Sequence, residues 1–144
     1  MKKLQGLTLL ELLITMAIVA IFAMVGVPSF SSFMATERLS VATNELYNAY
    51  RFARNEALKT SASMQLDAVG GDWAKGWEVT DSDGEVLLKS KVPHSSVTVS
   101  ASAVTVQGMG AVVAAADYSI TSAEGTICIS ILKSGQSEVG GCAE

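Results

Sequence analysis

From Leu12 to Thr36 the chain runs 25 residues without a formal charge, and between Leu12 and Val25 only Thr15 interrupts the apolar side chains. Such a block cannot sit at the surface of an ordinary globular domain. Widened to 7–33, it holds 27 residues of which Glu11 alone is charged. About 20 apolar residues in a helix suffice to span a bilayer, so a transmembrane helix fits its length. Lys2 and Lys3 precede it and would orient it with the amino end in the cytoplasm. A signal-peptide h-region is shorter and is followed by a small-residue cleavage site, which is not evident here. The segment therefore reads as a signal anchor or something more specialised.

Glu11 favours specialisation. A carboxylate within an apolar span costs a few kcal/mol on insertion scales, about 3 at the helix centre, so it ordinarily has a partner and a task. A cut after Gly6 would remove both lysines and leave Leu7 as a free amino terminus, with Glu11 the fifth residue of the shortened chain. The terminal ammonium of a neighbouring copy could then neutralise Glu11 and set one helix in register with the next.

Lys2-Lys3-Leu4-Gln5-Gly6 followed by Leu7-Thr8-Leu9-Leu10-Glu11-Leu12-Leu13 resembles the class III leader of type IV pilins and pseudopilins. The resemblance implies a leader over 1–6, removed by a membrane prepilin peptidase that cuts between Gly6 and Leu7 and N-methylates Leu7. It also implies assembly through Glu11. Leu7 departs from the Phe or Met usual at that place. The hydrophobic transmembrane and assembly helix is then 7–36, with Gly26 and Pro28 as the expected kink, because proline breaks the backbone ladder at its preceding turn.

Beyond it, Leu39, Ala42, Leu46, Ala49, Tyr50, Ala53 and Ala57 recur every three or four residues and form one apolar stripe. Helix is therefore expected to continue through 62, amphipathic over 37–62 and packed on a sheet. Arg51, Arg54 and Lys59 lie among Glu45 and Glu56, which reads as a solvated face with i,i+3 and i,i+4 pairs. From 63 to 144 the period changes to two. Expected strands are 63–69, 76–80, 85–90, 97–101, 103–107, 118–121 and 126–132. Asp81-Ser82-Asp83-Gly84 is a hairpin turn rather than a calcium loop, since no full ligand set follows. Trp73 and Trp77 are expected between helix and sheet, and His94 in an exposed turn. The segment Gly108–Asp117 is either a core strand or a loop in a subunit contact.

Tyr50-Arg51-Phe52-Ala53-Arg54-Asn55-Glu56-Ala57, followed by Gly76-Trp77-Glu78-Val79, is similar to the FimT/GspH group of minor pilins and pseudopilins. The fold class that follows is α+β and pilin-like, a long N-terminal helix packed on a small antiparallel sheet or sandwich head over 37–144. Such a head lies outside the cytoplasm, where disulfides persist, so Cys128 and Cys142 are expected to be bridged. Some FimT-like proteins bind DNA through a C-terminal Gly-Arg-x-Arg element. The corresponding residues here are Gly135-Gln136-Ser137-Glu138, and Lys133 is the one cation from Cys128 onward.

Residues 37–144 carry eight basic and thirteen acidic side chains. That excess argues against a general polyanion binder, because nucleic-acid affinity rests on neutralising phosphates. One histidine and two cysteines are too few for a zinc site, and no nucleophile–base pairing is evident. No enzyme activity and no cofactor are expected. The reading is a minor pilin that primes a type IV pilus or is incorporated in its fibre, with a GspH-like minor pseudopilin of type II secretion as the alternative. A DNA-binding uptake subunit is a further alternative. Expected partners are other pilins through the N-terminal helix, prepilin peptidase and inner-membrane assembly machinery. The expected location is the inner membrane, single-pass, with the head in the periplasm until assembly.

Overall fold

The computed structural model describes residues 8–142, and a boundary between 34 and 35 divides them into two compact units. Helix α1 (Leu9–Thr60) contributes to both. In the first unit its large apolar side chains from Leu9 to Phe33 that are described stand in the open. This part of α1 is long and apolar enough to cross a membrane, and none of its most apolar stretch is buried within the protein. Thr15, its isolated hydroxyl, donates to the carbonyl of Leu12 at 2.9 Å, so its polar group is satisfied inside the helix.

In the second unit the stripe read from the sequence is the buried face of α1. Leu39, Ala42, Leu46, Ala49, Tyr50, Ala53 and Ala57 all belong to the core. Four of these seven are alanines, which cost little side-chain entropy and let the helix axis approach the sheets closely. Thr43 is buried beside them and donates to the Leu39 carbonyl at 2.8 Å. Ser61, with φ of 55°, turns the chain out of the helix.

Eight strands follow: β1 (Met64–Ala68), β2 (Trp77–Thr80), β3 (Val86–Ser90), β4 (Thr98–Ser100), β5 (Val104–Val106), β6 (Ala116–Ser122), β7 (Gly125–Ile131) and β8 (Ser137–Gly140). They form two four-stranded sheets, ordered β3-β2-β1-β5 and β4-β6-β7-β8, with every pairing antiparallel. Alternation supplies the inner faces: Met64, Leu66 and Ala68 from β1, Trp77 and Val79 from β2, Tyr118 and Ile120 from β6, and Ile129 and Ile131 from β7. All of these but Ala68 share one hydrophobic cluster with the α1 stripe, and Trp77 within it has no solvent exposure. Trp73, in a short 3₁₀ turn (Trp73–Lys75), is half-buried with its ring 5.7 Å from that of Tyr118.

Seven strands coincide with the periodic segments within one or two residues, and β8 is additional. Its Ser-Glu-Val-Gly sequence holds a single β-branched residue, and as a sheet edge it has no face that must be apolar. The Asp81 turn is built as a hairpin: its Oδ1 accepts from the amides of Asp83 (2.9 Å) and Glu85 (2.8 Å). His94 is half-buried in its turn rather than exposed, its Nδ1 accepting from the Ser96 amide at 3.1 Å. Gly108–Asp117 is neither a strand throughout nor a plain loop. Val112 is buried and bridges Val106, residues 113–115 are exposed, and the segment ends inside β6.

Candidate functional site

Two features of the chain offer themselves for function, one in each unit. The first is the exposed apolar face of α1 with Glu11 near its start. Thr8 precedes the helix, and its Oγ1 accepts from the Glu11 amide at 3.2 Å. This is the geometry of a helix N-cap, in which a hydroxyl satisfies an amide that the helix leaves without a carbonyl. The cap places Glu11 in the first turn, where the helix dipole favours a negative charge. Its side chain is exposed, and no ion pair reaches it among the described residues. Gly6 and Leu7 lie outside the described residues, as do the side chains of Gly26 and Pro28.

The second feature is a polar groove of about 610 Å³ between α1 and the β7–β8 hairpin. Tyr47, Arg51 and Arg54 line it from the helix, with Gln136, Ser137 and Glu138 facing them. The helix side is held to the hairpin by two hydrogen bonds. Tyr50 donates its hydroxyl to the Gly135 carbonyl at 2.8 Å, and Arg54 Nε donates to the Gly110 carbonyl at 3.1 Å. Burial pushes the Tyr50 hydroxyl above its ordinary pKa, while the Arg54 charge works in the opposite direction. Tyr50 therefore stays a neutral donor at any physiological pH.

The two turns on which Tyr50 and Arg54 close touch one another. Gly135 has φ of 81°, and a Cβ there would overlap the Gly110 carbonyl oxygen and come within 2.9 Å of Arg54 Nε. Only glycine accepts both the backbone angle and the contact. Val112 also donates its amide to the Lys133 carbonyl at 3.1 Å, so the turns are joined on a second side.

The expected i,i+3 and i,i+4 pairing along this helix face holds for Lys59, whose Nζ lies 3.1 Å from Glu56. It does not hold for the two arginines. Arg51 sits 5.8 Å over the Tyr47 ring, and Arg54 turns inward to a backbone carbonyl. Sequence spacing counted charges on one helix and could not see that the hairpin turn rises beside it. The outlying signal was Tyr-Arg-x-x-Arg with the Ser134-Gly135 turn some 80 residues on, whose juxtaposition only the fold creates.

Cys128 and Cys142 are bridged, with Cα atoms 4.9 Å apart. Cys128 pairs in register with Gly140, so the bridge ties the chain just beyond β8 to the middle of β7. Lys133 is exposed on the β7–β8 turn, and Glu138 stands on the following strand.

A capped apolar helix feeding a small two-sheet head defines a pilin-like subunit. The family model for type II transport protein GspH matches residues 42–135, and that for the prokaryotic N-terminal methylation motif matches residues 1–27. The chain belongs to the GspH family. Its fold is similar to that of the type IV minor pilin FimU of Pseudomonas aeruginosa in two crystal forms. For the first, the TM-score is 0.64 at 21% identity over 74% of this chain and 91% of the FimU chain. For the second it is 0.60 at 21% identity over 69% and 90%. No curated protein sequence matches the chain.

Proposed function

We propose that the protein is a minor pilin, a subunit that primes or joins a type IV pilus fibre through its N-terminal helix. The observation that carries this reading is the N-terminal methylation motif, borne on the first half of a helix whose described large apolar side chains from Leu9 to Phe33 are exposed. An unpartnered apolar helix is stable in a bilayer or in a bundle of like helices, and the same surface serves both. Glu11 is then a registering charge. Prepilin peptidase cuts between Gly6 and Leu7 and methylates Leu7, and in the fibre the Leu7 ammonium of one subunit meets Glu11 of its neighbour. Before assembly the helix crosses the inner membrane once with the head in the periplasm, where the Cys128–Cys142 bridge persists. Gly26 and Pro28 supply a bend that lets the helix adjust to its neighbours. The likeness to FimU, itself a type IV minor pilin, supports the choice of machine.

The family match favours a second reading, a minor pseudopilin of type II secretion, because GspH is described as a type II transport protein. The assembly physics is shared and the machine differs. Glu11→Ala should leave membrane insertion and head folding intact while lowering incorporation into sheared fibres severalfold. Unchanged incorporation contradicts the mechanism. Loss of piliation without loss of secretion in the null strain selects the pilus, and the reverse selects the pseudopilus.

A further inference from the structure

The groove beside Tyr50 has a composition unlike the rest of the head. Residues 35–144 contain eight basic and thirteen acidic side chains, a formal charge of −5, yet two of the eight converge here. Lys59, Lys75 and Lys89 each sit within 4 Å of a carboxylate. Among the described residues Arg51 and Arg54 have no such partner, although Glu138 lines the same groove. Arg54 is partly buried and spends one N–H on the Gly110 carbonyl, and among the described residues no acceptor in the groove takes its remaining guanidinium donors. Arg51 is braced by the Tyr47 ring. Two guanidinium groups held from behind, one by a carbonyl and one by an aromatic face, are preorganised for a planar anion.

A second observation concerns the wall opposite. Among the described residues β8 pairs with β7 alone, so its outer edge is an open strand edge. Ser137 and Glu138 of that strand line the groove. An open edge accepts an extended segment by strand addition, with alternate side chains entering whatever lies beside it. We propose that the groove is a recognition site for one carboxylate side chain, carried on an extended segment of another subunit that lies along β8. Glu138 at the rim makes the site selective. One carboxylate seated between the arginines is tolerated, whereas the run of phosphates in a nucleic acid would face Glu138 and the acidic head beyond it.

The inference rests on the fibre-subunit reading for the source of the segment, but its test requires no fibre, so failure here leaves the Glu11 experiment standing. The full chain in detergent micelles is titrated against a fluorescein-labelled Thr-Val-Glu-Val-Ser peptide, its Gln counterpart and a single-stranded DNA oligonucleotide, read by anisotropy. The Glu peptide should bind at least about tenfold more tightly than the Gln peptide, the size of one charge-assisted hydrogen bond. Arg51→Gln, at an exposed position, should remove most of that preference. Glu138→Gln, which cannot be mistaken for a folding defect because it gains function, should tighten binding of the Glu peptide. Equal binding of the two peptides, absence of binding, or stronger binding of the oligonucleotide overturns the proposal.

Discussion

Gly135→Ala is the substitution whose effect the head's architecture fixes most narrowly. At φ of 81° an alanine pays about 1–2 kcal/mol for the left-handed conformation alone. Its Cβ would also overlap the Gly110 carbonyl oxygen, which is backbone and cannot swing aside, so the β7–β8 turn and the 107–113 turn must separate. Separation lengthens the Tyr50–Gly135 and Arg54–Gly110 hydrogen bonds, each worth about 1 kcal/mol net. The sum is about 3–4 kcal/mol, a large part of the 5–15 kcal/mol typical of a domain. For a head of this size it lowers the melting temperature by more than about 10 °C. Both tryptophans, Trp73 and Trp77, lie in the head, so tryptophan fluorescence of the full chain in detergent follows head unfolding without a signal from the membrane helix. Tyr50→Phe is the companion variant. It removes one of the two bonds and no backbone freedom, and should cost about 1–2 kcal/mol. A Gly135→Ala loss no greater than that of Tyr50→Phe would refute the claim that the two turns are in contact.

Other expectations follow from the same structure. Reducing the Cys128–Cys142 bridge, or replacing both cysteines with serine, should cost about 3 kcal/mol for a closed loop of this length, measured by the same melt with and without reductant. Tyr118 is buried with its hydroxyl unpartnered among the described residues, so Tyr118→Phe should stabilise the head by about 1 kcal/mol. Burial raises the Tyr118 pKa far above its usual 10.0, and burial likewise raises that of Tyr50. A raised pKa in the folded state means that this stability is fully present below about pH 10 and is lost as pH climbs beyond it. The alkaline fall of the melting temperature should therefore be shallower in Tyr118→Phe, and an unchanged slope would show that another group controls it.

The amphipathic half of α1 was legible because burial against a sheet imposes a helical period on residues such as Leu46 and Ala53, and that period survives in the sequence. The strands β1, β2, β6 and β7 were legible for the corresponding reason, their alternate residues Leu66, Val79, Ile120 and Ile129 being forced inward. β8 was not, because an edge strand closed by a disulfide needs neither alternation nor β-branched residues. The groove was hidden more deeply. Arg51 and Arg54 look like a solvated helix face until the β7–β8 turn is set beside them, and nothing local in Gly135-Gln136-Ser137-Glu138 says which helix it will meet. Glu11 was the opposite case, because a charge within an apolar run announces itself without any structure.

Assembly through Glu11 requires that the amino terminus be cut and methylated. Intact-mass and N-terminal peptide spectrometry of the protein purified from its native membrane should find Met1–Gly6 absent and the new terminus at Leu7 monomethylated, a gain of about 14 Da over the cleaved chain. A chain that retains Met1, or one cut elsewhere, would contradict assembly through Glu11 and leave the apolar helix as a simple anchor.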